Sequence, residues 1–367
     1  MAEVFPQETL LAQKTLFSSG AVLRLADEAL EFGARGLIVH GSSFEKSGKK
    51  ERLLSTFAAG AGTFCRRPGE PTIDDITHVI EKAKEMDACW IAGIGGGSAL
   101  DLAKAAAGLY NAKENPAFYQ EGGRLEKKGI PFIAVPTTAG TGSEATPNSV
   151  ITNKAKKAKL SIRDKSFMAR KVILDPELLR GMPSTVMSYA AMDAMVQAYE
   201  SFISKNSTWF SETFALKALQ LIDTNILPAY ETAGGSGLPD LLLGSHLAGI
   251  ALASARLGVI HGIAHPLGAL YGLPHGLICS ACFPPSIKLN KEAMGKKYGI
   301  ISGAIGADLA ERVEELLGRM NITSPFKGKE LIDKEKTIEA VLTSGSTAAN
   351  PKKIDREDAE FILGELF

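Results

Sequence analysis

The sequence predicts a chain in two parts, an α/β domain over residues 1–180 and an all-α domain over residues 181–367. Three observations carry that expectation. Short apolar runs alternate with helix-period patterns as far as Asp175-Pro176, the signature of βαβ units and a parallel sheet. Beyond that point strand-like runs nearly vanish, and long segments with helical spacing follow. A triple-glycine turn, Gly95-Gly96-Gly97, joins a buried apolar run directly to a helical one.

In chain order, residues 21–32 have helical spacing and stop at Gly33, a residue suited to a helix C-terminus. Residues 36–40 read as a buried strand, 44–58 as a helix and 63–66 as a short strand. Thr72-Ile-Asp-Asp75 has the form of a capping box opening the next helix. Residues 89–94 and 130–135 are strands, with a helix over 99–109 between them. Later strands are expected at 150–152, 158–162 and 172–174, and the basic run 154–159 reads as a solvated turn. Residues 177–181 form a short helix or turn. Helices follow over 186–203, 209–227, 238–257, 308–320 and 356–366, with a flexible loop at 232–237.

The chain has 367 residues, 45% hydrophobic and 22% charged, a globular composition with more residues than one core usually serves. Lys+Arg and Asp+Glu number 41 each, so no global basic field attracts nucleic acid or an anionic membrane. The opening Met-Ala-Glu-Val-Phe-Pro-Gln-Glu has no basic stretch leading into an apolar one, so no secretory signal is expected. No apolar run reads as long and uncharged enough to span a bilayer. A cytoplasmic protein without nucleic-acid or membrane partners is the expectation. Cys279 and Cys282 form a C-x-x-C pair of the kind found in zinc and redox sites. No second pair exists, Phe283-Pro284-Pro285 follows, and Cys65 and Cys89 sit in apolar stretches, so all four read as ordinary buried thiols.

The glycine turn continues as Ser98-Ala-Leu-Asp101. Consecutive glycines let the backbone approach a ligand closely. The helix behind them presents N–H groups and the positive end of its dipole, which suits a pyrophosphate. A second loop, Pro136-Thr137-Thr138-Ala-Gly-Thr141-Gly-Ser143-Glu144, also follows a strand and offers hydroxyls for phosphate or ribose. Two such loops at strand ends of one parallel sheet argue for a Rossmann-like dinucleotide-binding domain. An acidic residue after the 36–40 strand would hold the ribose of NAD and repel a 2′-phosphate. Here Gly41-Ser42-Ser43 follows, which favours NADP over NAD; Glu45 is the counter-argument, being able to reach the ribose if its loop folds back.

Three of the six histidines fall in one stretch. His261 and His265 are four apart and share a face of a helix, and His275 follows a Gly-Leu-Pro turn that brings the chain back towards them. Imidazoles gathered in this way suit a metal site or proton transfer.

Together, Gly95-Gly96-Gly97-Ser98 with Asp101, the Pro136–Glu144 loop, Asp175-Pro176, Asp193-Ala194 and the His261/His265/His275 stretch resemble the iron-containing (group III) alcohol dehydrogenases. Asn350-Pro351-Lys352 resembles that family's ending. The resemblance implies a dehydroquinate synthase-like architecture, with a catalytic divalent metal in the cleft between the domains, a dinucleotide on the glycine side, and a homodimer. It places metal ligands at Asp193, His261 and His275. The family's remaining ligand, a histidine, falls on Gln197, and an amide is a poor ligand for Fe²⁺ or Zn²⁺ beside imidazole. Three readings stay open: a three-ligand site, Gln197 as a weak fourth ligand or hydrogen-bond partner, and a metal-free site. His265 matches a non-ligand histidine and is the candidate for proton transfer, with Asp193 offsetting the metal's charge. Lys159 aligns with a lysine on the nicotinamide side.

The expected activity is reversible hydride transfer between a nicotinamide and a small alcohol, aldehyde or ketone. The alternatives are a metal-independent reductase of the same fold, similar to maleylacetate reductases, and a lyase similar to dehydroquinate synthase. The first would place cations where the metal would sit, and Arg256 is close to His261 in sequence.

Overall fold

The computed structural model describes residues 8–367 apart from 59, 157, 233 and 234. The opening segment read for a signal peptide therefore lies almost wholly outside the described residues, as do parts of the 154–159 turn and the 232–237 loop. The chain divides into two compact units. Leu10–Thr138 and Ser143–Leu179 form one; Ala139–Gly142 and Arg180–Phe367 belong to the other.

The first unit is an α/β fold on a six-stranded parallel sheet. Its strands are β1 (Lys14–Phe17), β2 (Gly36–His40), β3 (Gly62–Cys65), β4 (Trp90–Gly95), β5 (Phe132–Pro136) and, after the hairpin described next, β8 (Lys171–Leu174), in the order β1-β8-β5-β4-β2-β3. Every residue of β2, β4, β5 and β8 is buried, as continuous apolar runs require in a sheet covered on both faces. The runs near residues 150 and 160 are strands, β6 (Asn148–Asn153) and β7 (Ala158–Arg163). They pair with each other as an antiparallel hairpin outside the sheet, with one isolated bridge from Thr152 to Thr72. The edge strand β1 was not legible in the sequence. Its four residues are largely exposed, and its partner β8 lies 157 residues downstream (Lys14 against Lys171).

The helices of this unit are α1 (Leu25–Ala29), α2 (Ser42–Glu45), α3 (Lys49–Leu54), α4 (Ile73–Glu85), α5 (Gly97–Leu109) and α6 (Pro116–Gln120). The helix expected over 21–32 is a short α-helix between two 3₁₀ turns. The one expected over 44–58 is two short pieces, because the chain turns through Gly48 at φ 67°. The capping box is present: the Asp75 N–H donates to Thr72 Oγ1 at 3.3 Å, and the Thr72 N–H donates to Asp75 at 2.9 Å. Asp175 is fully buried and ties the N-terminal turn to the end of β8. Its carboxylate accepts from the N–H groups of Gly20, Val22 and Glu177 at 3.0–3.1 Å.

The second unit is helical: α7 (Ser184–Ile203), α8 (Trp209–Glu231), α9 (Leu238–Ala255), α10 (Val259–Tyr271), α11 (His275–Met294), α12 (Lys296–Ile305), α13 (Leu309–Arg319), α14 (Lys334–Thr343) and α15 (Arg356–Leu366). α7 packs against α8, α9 and α11, and it is buried from Ala191 to Ile203. Contrary to the sequence expectation, α9 is long and apolar enough to cross a membrane by length and composition alone. Its apolarity is accounted for by burial, since 61% of that window is inside the unit. The cysteines also depart from expectation: Cys65 is exposed at the end of edge strand β3 and Cys89 is half-buried, while Cys279 and Cys282 are buried.

A buried ammonium fixes the loop after β5. Lys104 on α5 is fully buried and donates to Ser143 O at 2.7 Å, Ser143 Oγ at 2.8 Å and Asn148 O at 2.7 Å, with Asp101 at 3.5 Å. Burial lowers its pKa, and the carboxylates of Asp101 and Glu144 oppose that. Removing one partner of a buried pair costs about 3–5 kcal/mol. Lys104→Met is therefore expected to lower the unfolding free energy in urea by about 3 kcal/mol. A change below about 1 kcal/mol, the worth of an exposed pair, would show that Lys104 contributes nothing beyond surface ion pairing.

Candidate active site

α7 carries three polar side chains into its apolar surroundings. Asp193, Gln197 and Glu200 stand at i, i+4 and i+7 and so share a face. All are at most 3% exposed. Buried carboxylates of this kind persist only when hydrogen-bonded or paired with positive charge.

Glu200 is satisfied by α10. That helix begins after Gly258, which offers no side-chain cap. Its first N–H groups are instead capped from elsewhere: Val259 donates to Asn350 Oδ1 at 3.3 Å and Ile260 to Glu200 Oε1 at 2.6 Å. The second Glu200 oxygen lies 2.6 Å from His261 Nδ1. A carboxylate at Nδ1 places a proton on that nitrogen and directs Nε2 to the opposite side, as the outer partners of metal-binding histidines do. His261 Nε2 then faces Asp193 Oδ1 at 3.4 Å.

His275 arrives by a close helix contact. A Cβ at Gly276 would stand 2.1 Å from Tyr189 O on α7, so only glycine lets α11 start against α7 one turn before Asp193. His275 Nε2 consequently lies 3.7 Å from Asp193 Oδ1. Cys279, one turn along α11, lies 3.6 Å from His275 Nε2. Donor atoms of Asp193, His261, His275 and Cys279 all fall within 4.8 Å of one another. His275 is 32% exposed, so the group opens to solvent on that side. His265 is exposed and its ring lies parallel to that of His275, with centroids 5.4 Å apart. Gln197 turns its amide nitrogen to Asp193 Oδ2 at 3.1 Å.

Burial and neighbouring charge act against each other throughout this group. Burial pushes the Cys279 thiol up to about 12, and the Asp193 carboxylate adds to that. Burial also works against charge on His261, but Cys279, Asp193 and Glu200 outweigh it and hold its pKa well above the usual value. Burial would raise Asp193; the nearby His275 and His261 reverse this and lower it. Asp193 Oδ1, His261 Nε2 and Gln197 Oε1 are buried with no hydrogen-bond partner among the described residues. These donors, of nitrogen, oxygen and sulfur type, fit a divalent transition metal. Arg256, the cation considered from sequence, is exposed and is not part of the group.

In the α/β unit, the other expected residues gather at the C-terminal ends of adjacent strands. Gly41 follows β2, Gly95 ends β4 and Gly96–Ser98 follow it, and Thr137 and Thr138 follow β5; β2 pairs with β4, and β4 with β5. Gly96 is the N-cap of the 13-residue helix α5 and provides no side-chain cap. Ser98 Oγ lies 3.4 Å from Glu70, which also pairs with Lys159 at 2.9 Å. Lys159 stands in strand β7 rather than in a turn. Asp101 is engaged internally: it accepts from Ser143 Oγ and, at 2.9 Å, from the Val150 N–H. Ser42 and Ser43 open α2. Thr141 groups with the helical unit.

Two family models cover nearly the whole chain: iron-containing alcohol dehydrogenase over residues 12–176, and the C-terminal region of the Fe-containing alcohol dehydrogenase family over 187–367. The chain belongs to the iron-containing alcohol dehydrogenase family. It is 33% identical over 302 residues to a sulfoacetaldehyde reductase of Bilophila wadsworthia, covering 81% of this chain and 78% of that one. It is 28% identical over 371 residues to an NAD-dependent methanol dehydrogenase of Bacillus methanolicus, covering 95% and 97%. The structure of an alcohol dehydrogenase from Oenococcus oeni superposes with a TM-score of 0.93 at 26% identity, over 98% of this chain and all of that one. An oxidoreductase of alcohol dehydrogenase type, with an α/β Rossmann-like N-terminal part and a helical C-terminal part, follows from these matches.

Glu200 and Cys279 were missed as site residues in the sequence. Glu200 repeats the helical spacing of Asp193 and Gln197, and Cys279 that of His275, and those spacings are the only signals that could have found them. Gly276→Ala is expected to destabilise the chain by about 1–3 kcal/mol through overpacking against Tyr189. It should also lower activity by separating His275 from Asp193. An alanine variant with unchanged unfolding midpoint and turnover would show that the close contact does not position His275.

Proposed function

We propose that the chain is a metal-assisted, NADP-preferring dehydrogenase acting reversibly on a small alcohol and its aldehyde or ketone. The observation that carries this reading is the convergence of Asp193 Oδ1, His261 Nε2 and His275 Nε2, two of them buried without a hydrogen bond. A divalent cation, Fe²⁺ or Zn²⁺, held there would polarise the substrate oxygen and stabilise its negative charge. Asp193 contributes the charge that offsets the cation. Glu200 fixes the tautomer and the orientation of His261. Gln197, with its amide nitrogen on Asp193, orients that carboxylate. His265, exposed and parallel to His275, exchanges a proton with the substrate oxygen as the hydride moves between nicotinamide and substrate carbon.

For the cofactor, Gly95–Ser98 and the N-terminus of α5 hold the pyrophosphate. Thr137, Thr138 and Thr141 supply hydroxyls, and Lys159 a cation. Asp101 acts as a positioning residue for the loop over 143–150. The preference for NADP rests on Gly41. Its φ of −83° is open to any residue, and a Cβ there would meet nothing within 4 Å, so neither backbone nor packing demands glycine. The absence of a carboxylate at that point leaves room for a 2′-phosphate beside Ser42 and Ser43. Glu45, the competing acid, is drawn to Lys50 at 2.7 Å and to His40 at 3.2 Å. A metal-independent reductase fits less well, because among the described residues the carboxylates of Asp193 and Glu200 pair with histidines rather than with Lys or Arg.

Dialysis against chelator is expected to abolish activity, and Fe²⁺ or Zn²⁺ to restore it. Full turnover by metal-free protein would refute the metal-assisted reading. NADPH should bind more tightly than NADH, and Gly41→Asp should weaken NADPH at least about tenfold, since juxtaposed like charges cost several kcal/mol. NADH affinity should be held or improved. A wild-type preference for NADH would overturn the reading of Gly41.

A further inference from the structure

We propose that Cys279 is the fourth protein ligand of the metal, taking the place left by Gln197, and that the resulting Asp-His-His-Cys set selects zinc. This rests on the metal-assisted reading above and specifies the donor set within it.

Cys279 lies on the same face of α11 as His275, four residues on, and its side chain is fully buried. Its sulfur does not face an apolar pocket. It stands 3.6 Å from His275 Nε2, among the donor atoms of Asp193 and His261, two of which are buried without hydrogen bonds. A tetrahedral zinc with bonds of about 2.0–2.1 Å to nitrogen or oxygen and about 2.3 Å to sulfur has donor–donor edges of roughly 3.3–3.6 Å. The spacings here are 3.4 Å for Asp193 to His261, 3.7 Å for Asp193 to His275 and 3.6 Å for His275 to Cys279. Cys282, three residues further on, is buried but stands outside this group. The C-x-x-C pair is therefore not a two-cysteine clamp.

Gln197 is the competing fourth donor, and its Oε1 is also buried without a hydrogen-bond partner. Its nitrogen is spent on Asp193, and an amide oxygen is a weaker donor to a borderline-soft ion than a thiolate. A thiolate alongside imidazoles and a carboxylate moves the preference from the harder divalent cations to zinc. The thiol loses its proton to solvent as the ion binds. The exposed side of His275 leaves an approach for a substrate oxygen as a fifth ligand, which zinc accepts.

The test uses the full chain, freed of metal and titrated with Co²⁺. Wild-type protein is expected to bind one equivalent and show a near-ultraviolet thiolate-to-cobalt charge-transfer band. Cys279→Ser should lose the band, whereas Cys282→Ser and Gln197→Ala should keep it. Zn²⁺ affinity of Cys279→Ser, measured by competition with a chromophoric chelator, should fall by more than the roughly 10–100-fold that loss of an outer partner costs. Zinc-edge X-ray absorption on the loaded wild-type chain needs no substitution, and one sulfur at about 2.3 Å is expected. A bound ion with no thiolate band and a first shell of nitrogen and oxygen alone would overturn Cys279 ligation while leaving the metal reading intact. Failure of the wild-type chain to bind either Co²⁺ or Zn²⁺ would overturn both.

Discussion

The centre of the helical unit depends on one buried carboxylate. Glu200 accepts from the backbone at the start of α10 and from the imidazole of the next residue, so a single side chain fixes both where the helix begins and how His261 is turned. Asn350 completes the cap and bonds Asn290 on α11 at 2.7 Å, which links the same helix start to the helix that carries His275. His261 is thus aimed from its far side, by a group that does not itself face Asp193.

This arrangement explains why polar residues survive on a helix as apolar as α7. Asp193 and Glu200 are both deep inside, and burial of two carboxylates is unfavourable unless positive charge or donors meet them. Glu200 has its donors in the protein. Asp193 has Gln197 on one oxygen only, and its other oxygen looks towards imidazoles. The α/β unit solves the reverse problem in the opposite way. Its buried cation, Lys104, is surrounded by carbonyl and hydroxyl oxygens with Asp101 alongside, so the charge is fully met by the chain. One buried charge serves packing, and the other is left for chemistry.

Much of this was legible in the sequence. The central strands are continuous apolar runs, the glycine turn joins strand to helix without a spacer, and the capping box at Thr72 reads from four letters. The histidines declared a site because imidazole is scarce in this chain. What escaped notice depends on partners far away in sequence. β1 is a strand only because β8 pairs with it, and the hairpin of β6 and β7 has the same letters as sheet strands. Helices α11 and α12 carry prolines or glycines that blur helical periodicity, α14 is short, and only packing reveals them. Cys279 has the composition of a core thiol; nothing near it in sequence says that α7 brings a carboxylate to its sulfur. Asp101 and Asp175, two acids of the family pattern, hold loops to helices and strands here.

The cap from Asn350 has a consequence for the order in which the molecule is assembled. Chains are made from the N-terminus, and domains tend to fold as they emerge. The eight strands among the described residues all lie before residue 175, so the α/β unit is available to fold while α7 and the later helices are still to be made. His261 is made shortly afterwards, but the side chain that caps its helix comes 89 residues later. During that interval the histidine pocket lacks one of its supports, and it reaches its final geometry only once Asn350 is made. The sheet unit and the histidine group of the same enzyme are therefore finished at different times.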